Sequence, residues 1–190
     1  MAKDEHENLR ERAKNNFITS RELSELAHVL EEPVDETDKF EIIWALGKVR
    51  AVKYAHLIEQ FLEGPDPELA GLALRVLCTD WGMTSRYTDV VLQLMRGVDW
   101  DIDETCQRPA ISIAGAYLKD TFHLEFLREL IRIFEDETDD VRTYAYYALC
   151  EATGYELNRL PFTYNDFDPS TMIDPIVIQT AKERLINEVR

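Results

Sequence analysis

No apolar run in this sequence approaches the ~18–20 residues that a helix needs to cross a bilayer, so no membrane-spanning helix is expected. Positive charge is also scarce. Lys and Arg number 21 against 37 Asp and Glu, leaving a net charge of −16. Such a field repels phosphate backbones and anionic lipid, which argues against nucleic acid or membrane as partners. It favours a basic protein, whose association it speeds. Cysteine is sparse. Cys78, Cys106 and Cys150 are odd in number and form no Cys-x-x-Cys pair, so they fit buried thiols in a reducing compartment rather than a disulfide framework. The four histidines, His6, His28, His56 and His123, include no i, i+4 pair, and no metal or other cofactor is expected. No window alternates as a strand between hairpin turns, so the expected class is all-α. The opening residues, Met1-Ala2-Lys3-Asp4-Glu5-His6, are polar and lack a signal-peptide core, so a cytoplasmic location is expected.

What is present is repetition. The chain has 190 residues, 45% of them hydrophobic, enough to bury a core. Residues 1–18 are charged and weakly patterned, a tail or frayed helix. Thr19-Ser20-Arg21-Glu22 has capping-box spacing, and Leu23, Leu26, Ala27 and Leu30 follow on one helical face. Pro33 is expected to end that helix. From there to residue 154 one frame recurs. Asp140-Val141-Arg142-Thr143-Tyr144-Ala145-Tyr146-Tyr147-Ala148-Leu149-Cys150 lies on Glu68-Leu69-Ala70-Gly71-Leu72-Ala73-Leu74-Arg75-Val76-Leu77-Cys78. Residues 39–46 and, more loosely, 108–115 fit the same frame. Equivalent positions Leu46, Leu77, Gly115 and Leu149 are spaced at roughly the 30–45-residue period of a two-helix solenoid. Second helices are expected at Val52–Glu63, Ser85–Arg96 and Phe122–Glu135, with Gly64, Gly82, Gly97 and Gly154 as stops. Residues 155–190 form a C-terminal cap: an aromatic, acidic loop around 160–169, then a helix begun by Asp174-Pro175.

Just ahead of the four repeated helices lie four acidic clusters, at 31–38, 63–68, 99–104 and 135–140. They hold 17 acids and no Lys or Arg in 26 positions. If the helices form a solenoid, these turns share one edge. Asp35, Glu36, Asp66, Glu68, Asp99, Trp100, Asp101, Asp103, Glu104, Glu135, Asp136, Glu137 and Asp139 are therefore the candidate partner-binding residues. Acids at helix starts also have a plainer use, because unpaired N–H groups and the helix dipole favour them there, yet one or two per turn suffice. Asp99-Trp100-Asp101-Ile102-Asp103 has the alternate acidic spacing that begins a calcium loop. Glu104 replaces the glycine expected at the sixth position, and Ala110 the acid at the twelfth.

Asp140-Val141-Arg142 with Ala145, Ala148 and Leu149, and their echoes upstream, resemble the HEAT-repeat family over roughly residues 35–154. The resemblance implies a right-handed α-α superhelix, a HEAT-like solenoid of about four helical pairs plus capping helices; the free chain is expected to be a monomer. Proteins of this fold mostly bind other proteins through a concave face or an edge, and some bacterial members look like small immunity or inhibitor proteins. Others are bilin lyases, DNA-repair glycosylases or an iron-dependent hydroxylase. The hydroxylase type uses paired His-Glu motifs, and here only His6-Glu7 occurs. The glycosylase type offers DNA a basic groove, which a chain at −16 lacks. The expected function is therefore non-catalytic: an acidic inhibitor or immunity-type module that binds a basic protein. The alternative is an assembly scaffold or adaptor using its concave face. A tetrapyrrole (bilin) lyase-like enzyme is the third reading.

Overall fold

The computed structural model describes residues 11, 12, 15, 18–31, 36–156 and 167–188. Asp35 lies outside them, as do Phe162 and Tyr164 of the expected aromatic loop. The described residues are all-helical, without a strand, and no helix among them is long and apolar enough to cross a membrane. The chain divides into two compact units, Met1–Tyr87 and Thr88–Arg190.

In the first unit, α1 (Ser20–His28) starts as its capping box requires. Glu22 N–H donates to Thr19 Oγ1 at 3.3 Å, and Thr19 N–H donates to Glu22 Oε2 at 2.8 Å. The Thr19 hydrogen bonds hold the Glu22 carboxyl below its ordinary range. Helix α2 (Glu36–Lys48) buries Ile42, Ile43, Ala45 and Leu46. Helix α4 (Pro67–Leu74) buries every residue from Leu69 to Leu74, because Ala and Gly on its sides admit neighbours closely. Asp66 caps it, accepting from Leu69 N–H at 3.0 Å, with Pro67 at the first helical position. At Arg75–Asp80 the helix widens to π geometry. Trp81 N–H reaches back to Val76 O at 3.0 Å, and its indole N–H donates to Gly47 O at 3.3 Å. A Cβ on Gly47 would stand 2.7 Å from Val76 Cγ2. Phe40 and Leu69 line one cleft, and Gly47 meets Val76 further along, so α2 and α4 run the same way.

The expected second helices of this unit are broken. Val52–Tyr54 is a 3₁₀ turn, α3 spans only Ala55–Glu59, and the chain then continues in i→i+3 turns. Gln60 contributes to that tightening, since its side-chain amide donates to Leu57 O at 2.7 Å. The stretch expected as one helix from Ser85 to Arg96 divides at buried Tyr87 into a 3₁₀ turn (Thr84–Arg86) and α5 (Thr88–Met95), which opens the second unit. The Tyr87 hydroxyl donates to Glu59 Oε1 at 2.6 Å, and Arg86 pairs with the same carboxylate at 2.8 Å.

The second unit is built on α6 (Gln107–Asp120), α7 (Leu124–Glu135) and α8 (Arg142–Thr153). Helix α7 follows its apolar stripe, burying Phe126, Leu127, Leu130, Ile131, Ile133 and Phe134. Arg108 near the start of α6 stacks over the Tyr144 ring at 5.3 Å near the start of α8. Seven residues on, a Cβ at Gly115 would fall 2.6 Å from Ala148 Cα, so these helices too run the same way and touch backbone to backbone. Gly154 ends α8 in the left-handed region, at φ 73°, where glycine carries no penalty. The cap follows as α9 (Pro169–Met172) and α10 (Pro175–Glu188). Asp174 accepts from Ile176 N–H at 3.0 Å as the start of α10 demands. Tyr146, fully buried, accepts from Asp174 N–H at 2.7 Å and donates to Met172 O at 3.3 Å. Phe167 packs on both Tyr146 and Tyr147, the aromatic packing expected of a cap. Arg184 donates to Leu118 O at 2.8 Å and Ala152 O at 2.9 Å, which fastens α10 to the C-terminal turns of α6 and α8 at once.

Candidate functional site

The turn at 97–106 is the most structured of the acidic turns at 63–68, 99–104 and 135–140. Gly97 takes φ 83° and Glu104 takes φ 59°. Asp101 points inward. It is 7% exposed, and its Oδ2 accepts from the N–H groups of Cys106 and Gln107, each at 2.9 Å, which caps α6. Its Oδ1 is buried with no hydrogen-bond partner among the described residues. The Gln107 side-chain amide donates to Met95 O at 3.0 Å and ties the turn to α5. Glu104 is held by Arg108 through Nε at 3.0 Å and a terminal nitrogen at 2.8 Å. That carboxylate in turn raises the Arg108 pKa above its ordinary value.

Folding Asp101 inward turns Ile102 outward, to 87% exposure. Asp99 and Asp103 are exposed beside it, and Trp100 is half-buried, like Trp44 and Trp81. Asp99 and Trp100 line a cleft of ≈ 630 Å³ with Asp89 and Leu92 from α5 and Val98 from the turn after it. Arg96 also lines it. Its guanidinium is engaged by the buried Glu129 carboxylate at 3.2 Å, which Arg132 shares at 2.6 Å.

The 135–140 turn is organised differently, by short local bonds. Asp136 accepts from Thr138 N–H at 3.0 Å and Thr138 Oγ1 at 2.7 Å, which lowers its carboxyl below the usual range. Asp139 accepts from Val141 N–H at 3.0 Å. Glu135 pairs with Lys182 at 2.5 Å, while Glu137 and Asp140 are exposed. Arg142 donates to Phe134 O at 2.9 Å and covers the Phe134 ring, which links α8 to the end of α7. In the first unit, Asp66 caps α4, Glu68 is exposed, and both line a smaller cleft with Thr37 and Phe40. Glu36 opens α2. Of the candidate residues, then, Asp66 and Asp101 work as helix caps, Asp136 and Asp139 brace their own turn, Glu104 and Glu135 are salt-bridged, and Glu68, Asp99, Asp103 and Glu137 stand in solvent.

Sequence reasoning did not single out Asp89, Ile102 or the Arg108–Tyr144 stack. A lone Ile between two acids was the available signal for Ile102. Asp89 is separated in sequence from every acidic cluster and joins the 99–104 turn only through the fold.

The thiols are poor nucleophiles where they stand. Burial pushes Cys78 up to about 12 and Cys150 up to about 11. Cys106 is fully buried at the start of α6. Among the described residues no three His, Cys, Asp or Glu side chains are grouped to hold a metal ion. His123 caps α7, accepting from Phe126 N–H at 3.3 Å, and stacks on Phe126. No protein-family model, curated protein or solved structure matches this chain.

Proposed function

We propose that this chain is a non-catalytic, HEAT-like protein-binding module, a right-handed α-α superhelix that acts as an inhibitor or immunity-type protein on a basic partner. The observation that carries this reading is a surplus of acid. Helix starts need one or two acceptors each, and Asp66, Asp101, Asp136 and Asp139 supply turn and helix N–H groups with them. Arg108 and Lys182 occupy Glu104 and Glu135. Glu68, Asp99, Asp103, Glu137 and Asp140 remain exposed, with neither ion pair nor hydrogen bond among the described residues. Local folding does not need these five. Their repulsion lowers stability, while their field accelerates encounter with a cationic surface.

Affinity capture from the host lysate at low and high salt tests the reading. A single basic partner that elutes with salt supports it. Salt-resistant capture of a multi-protein complex points instead to a scaffold bound through an apolar face. With the partner in hand, replacing Asp99, Asp103, Glu137 and Asp140 by Asn or Gln should slow association roughly tenfold at low salt and change dissociation less. An unchanged association rate sinks the proposal.

A further inference from the structure

We propose that the cleft beside α5, edged by the 97–104 turn, is the contact centre for a protein segment in which a Lys or Arg side chain lies next to a large apolar one. This rests on the reading of the chain as a binder of basic proteins and narrows it to one place and one chemistry.

Three features meet there. First, the cleft is part apolar and part acidic: Leu92, Val98 and Trp100 supply surface for an apolar side chain, Asp89 and Asp99 the negative charge for a cationic one. Neither aspartate has a cationic partner among the described residues. The one cation in the lining, Arg96, is directed to Glu129. The half-buried Trp100 indole makes no hydrogen bond among the described residues, so its ring and its N–H are both available to a cationic or carbonyl-bearing partner. Second, Ile102, two residues on from the cleft's Trp100 in the same turn, stands 87% exposed, the most exposed large apolar side chain described. A single exposed Ile is ordinary. One set between exposed Asp99 and Asp103 has the make-up of a small contact centre, an apolar anchor with a charged surround.

Third, the turn is fixed before any partner arrives. Asp101 is buried under it, Glu104 is clamped by Arg108, and Gln107 bonds back to Met95. A fixed loop loses little freedom on binding, which favours affinity. Nucleic acid and anionic lipid lack the cation that Asp89 and Asp99 call for, so the occupant is protein.

Two synthetic peptides of equal charge test this by nuclear magnetic resonance titration of the full chain at low salt. One is Ac-Gly-Arg-Leu-Arg-Leu-Gly-amide and the other has Ser in place of Leu. The expected result is shifts concentrated at residues 89–104 with the leucine peptide and binding roughly tenfold weaker with the serine one. Ile102→Ser should reduce that preference, and Asp89→Asn with Asp99→Asn should weaken both peptides. Equal binding of the two peptides, with shifts spread over 135–140, overturns the cleft and leaves the acidic docking reading intact. No binding of either peptide at low salt overturns both.

Discussion

The two units solve one packing problem with different tolerances. In Met1–Tyr87 the parallel pair α2 and α4 meets at Gly47, whose neighbour is the Val76 side chain on a π-helical stretch. In Thr88–Arg190 the parallel pair α6 and α8 meets at Gly115, whose neighbour is Ala148 backbone. A side chain, even one as buried as Val76, can give more than backbone can, so the second unit holds its helix pair in the tighter contact at mid-helix. The acidic turns differ in the same sense. The turn before α4 has one exposed-side cap, Asp66, whereas the turn before α6 is wrapped around buried Asp101. The unit with less slack carries the more elaborate turn, as expected where a surface must be presented in one conformation.

Asp101 offers the sharpest test. Asp101→Ala leaves two N–H groups at the start of α6 without an acceptor, one of them buried, and should lower stability by about 2–3 kcal/mol. Asp66→Ala removes an ordinary cap and should cost about 1 kcal/mol. Urea midpoints of the two variants measure the contrast. Equal losses would mean the 97–106 turn is no more structured than its counterpart. Next in size is the glycine pair. Alanine at either position gains about 1 kcal/mol of helix propensity, against about 1–3 kcal/mol for overpacking. Gly115→Ala should be net destabilising because Ala148 cannot retract. Gly47→Ala should be destabilising too, but less so, because buried Val76 faces the new Cβ with both methyls yet only side-chain atoms have to shift.

Much of this was legible in the sequence, for physical reasons. Capping signals are local, so Thr19-Ser20-Arg21-Glu22, Asp174-Pro175 and Gly154 were readable and appear where the spacing put them. The aligned Leu77-Cys78 and Leu149-Cys150 pairs were readable because burial follows helical period, and all four are buried. Two things were not readable. A capping aspartate and a solvated one are the same letter, so nothing in Asp99-Trp100-Asp101-Ile102-Asp103 told which acid turns inward and which apolar residue is thereby expelled. The π-helical stretch at 75–80 was hidden for a related reason. Its frame aligns with α8 as far as Leu77-Cys78, and the stretch is followed by a long-range bond, from Trp81 to Gly47 O, that no local pattern shows. Arg184, whose partners lie 66 and 32 residues away, was beyond any local pattern.

Arg184 and the thiols carry the comparison to its smaller effects. Arg184→Met keeps much of the stem's packing and removes two hydrogen bonds to helix carbonyls, a loss of about 1–2 kcal/mol confined to the second unit. Cys78 and Cys150 sit at one repeat position in different units, and burial raises both above the usual thiol value of 9.0, to about 12 and about 11. A raised thiol pKa keeps the folded state protonated while the unfolded chain ionises. Stability from these groups is therefore intact below pH 9 and falls as pH rises, until about 11 for Cys150 and about 12 for Cys78. Tyr87 and Tyr146, raised by burial as well, add a decline of the same sign, so the thiols are isolated by difference. The alkaline slope of the urea midpoint should be shallower in Cys78→Ala and in Cys150→Ala than in the parent. The Cys78 difference should persist to higher pH, because Cys150 reaches its folded pKa first. Slopes parallel to the parent in both variants would mean the thiols reach solvent as readily in the folded chain as in the unfolded one, and the two repeat positions would then no longer count as core.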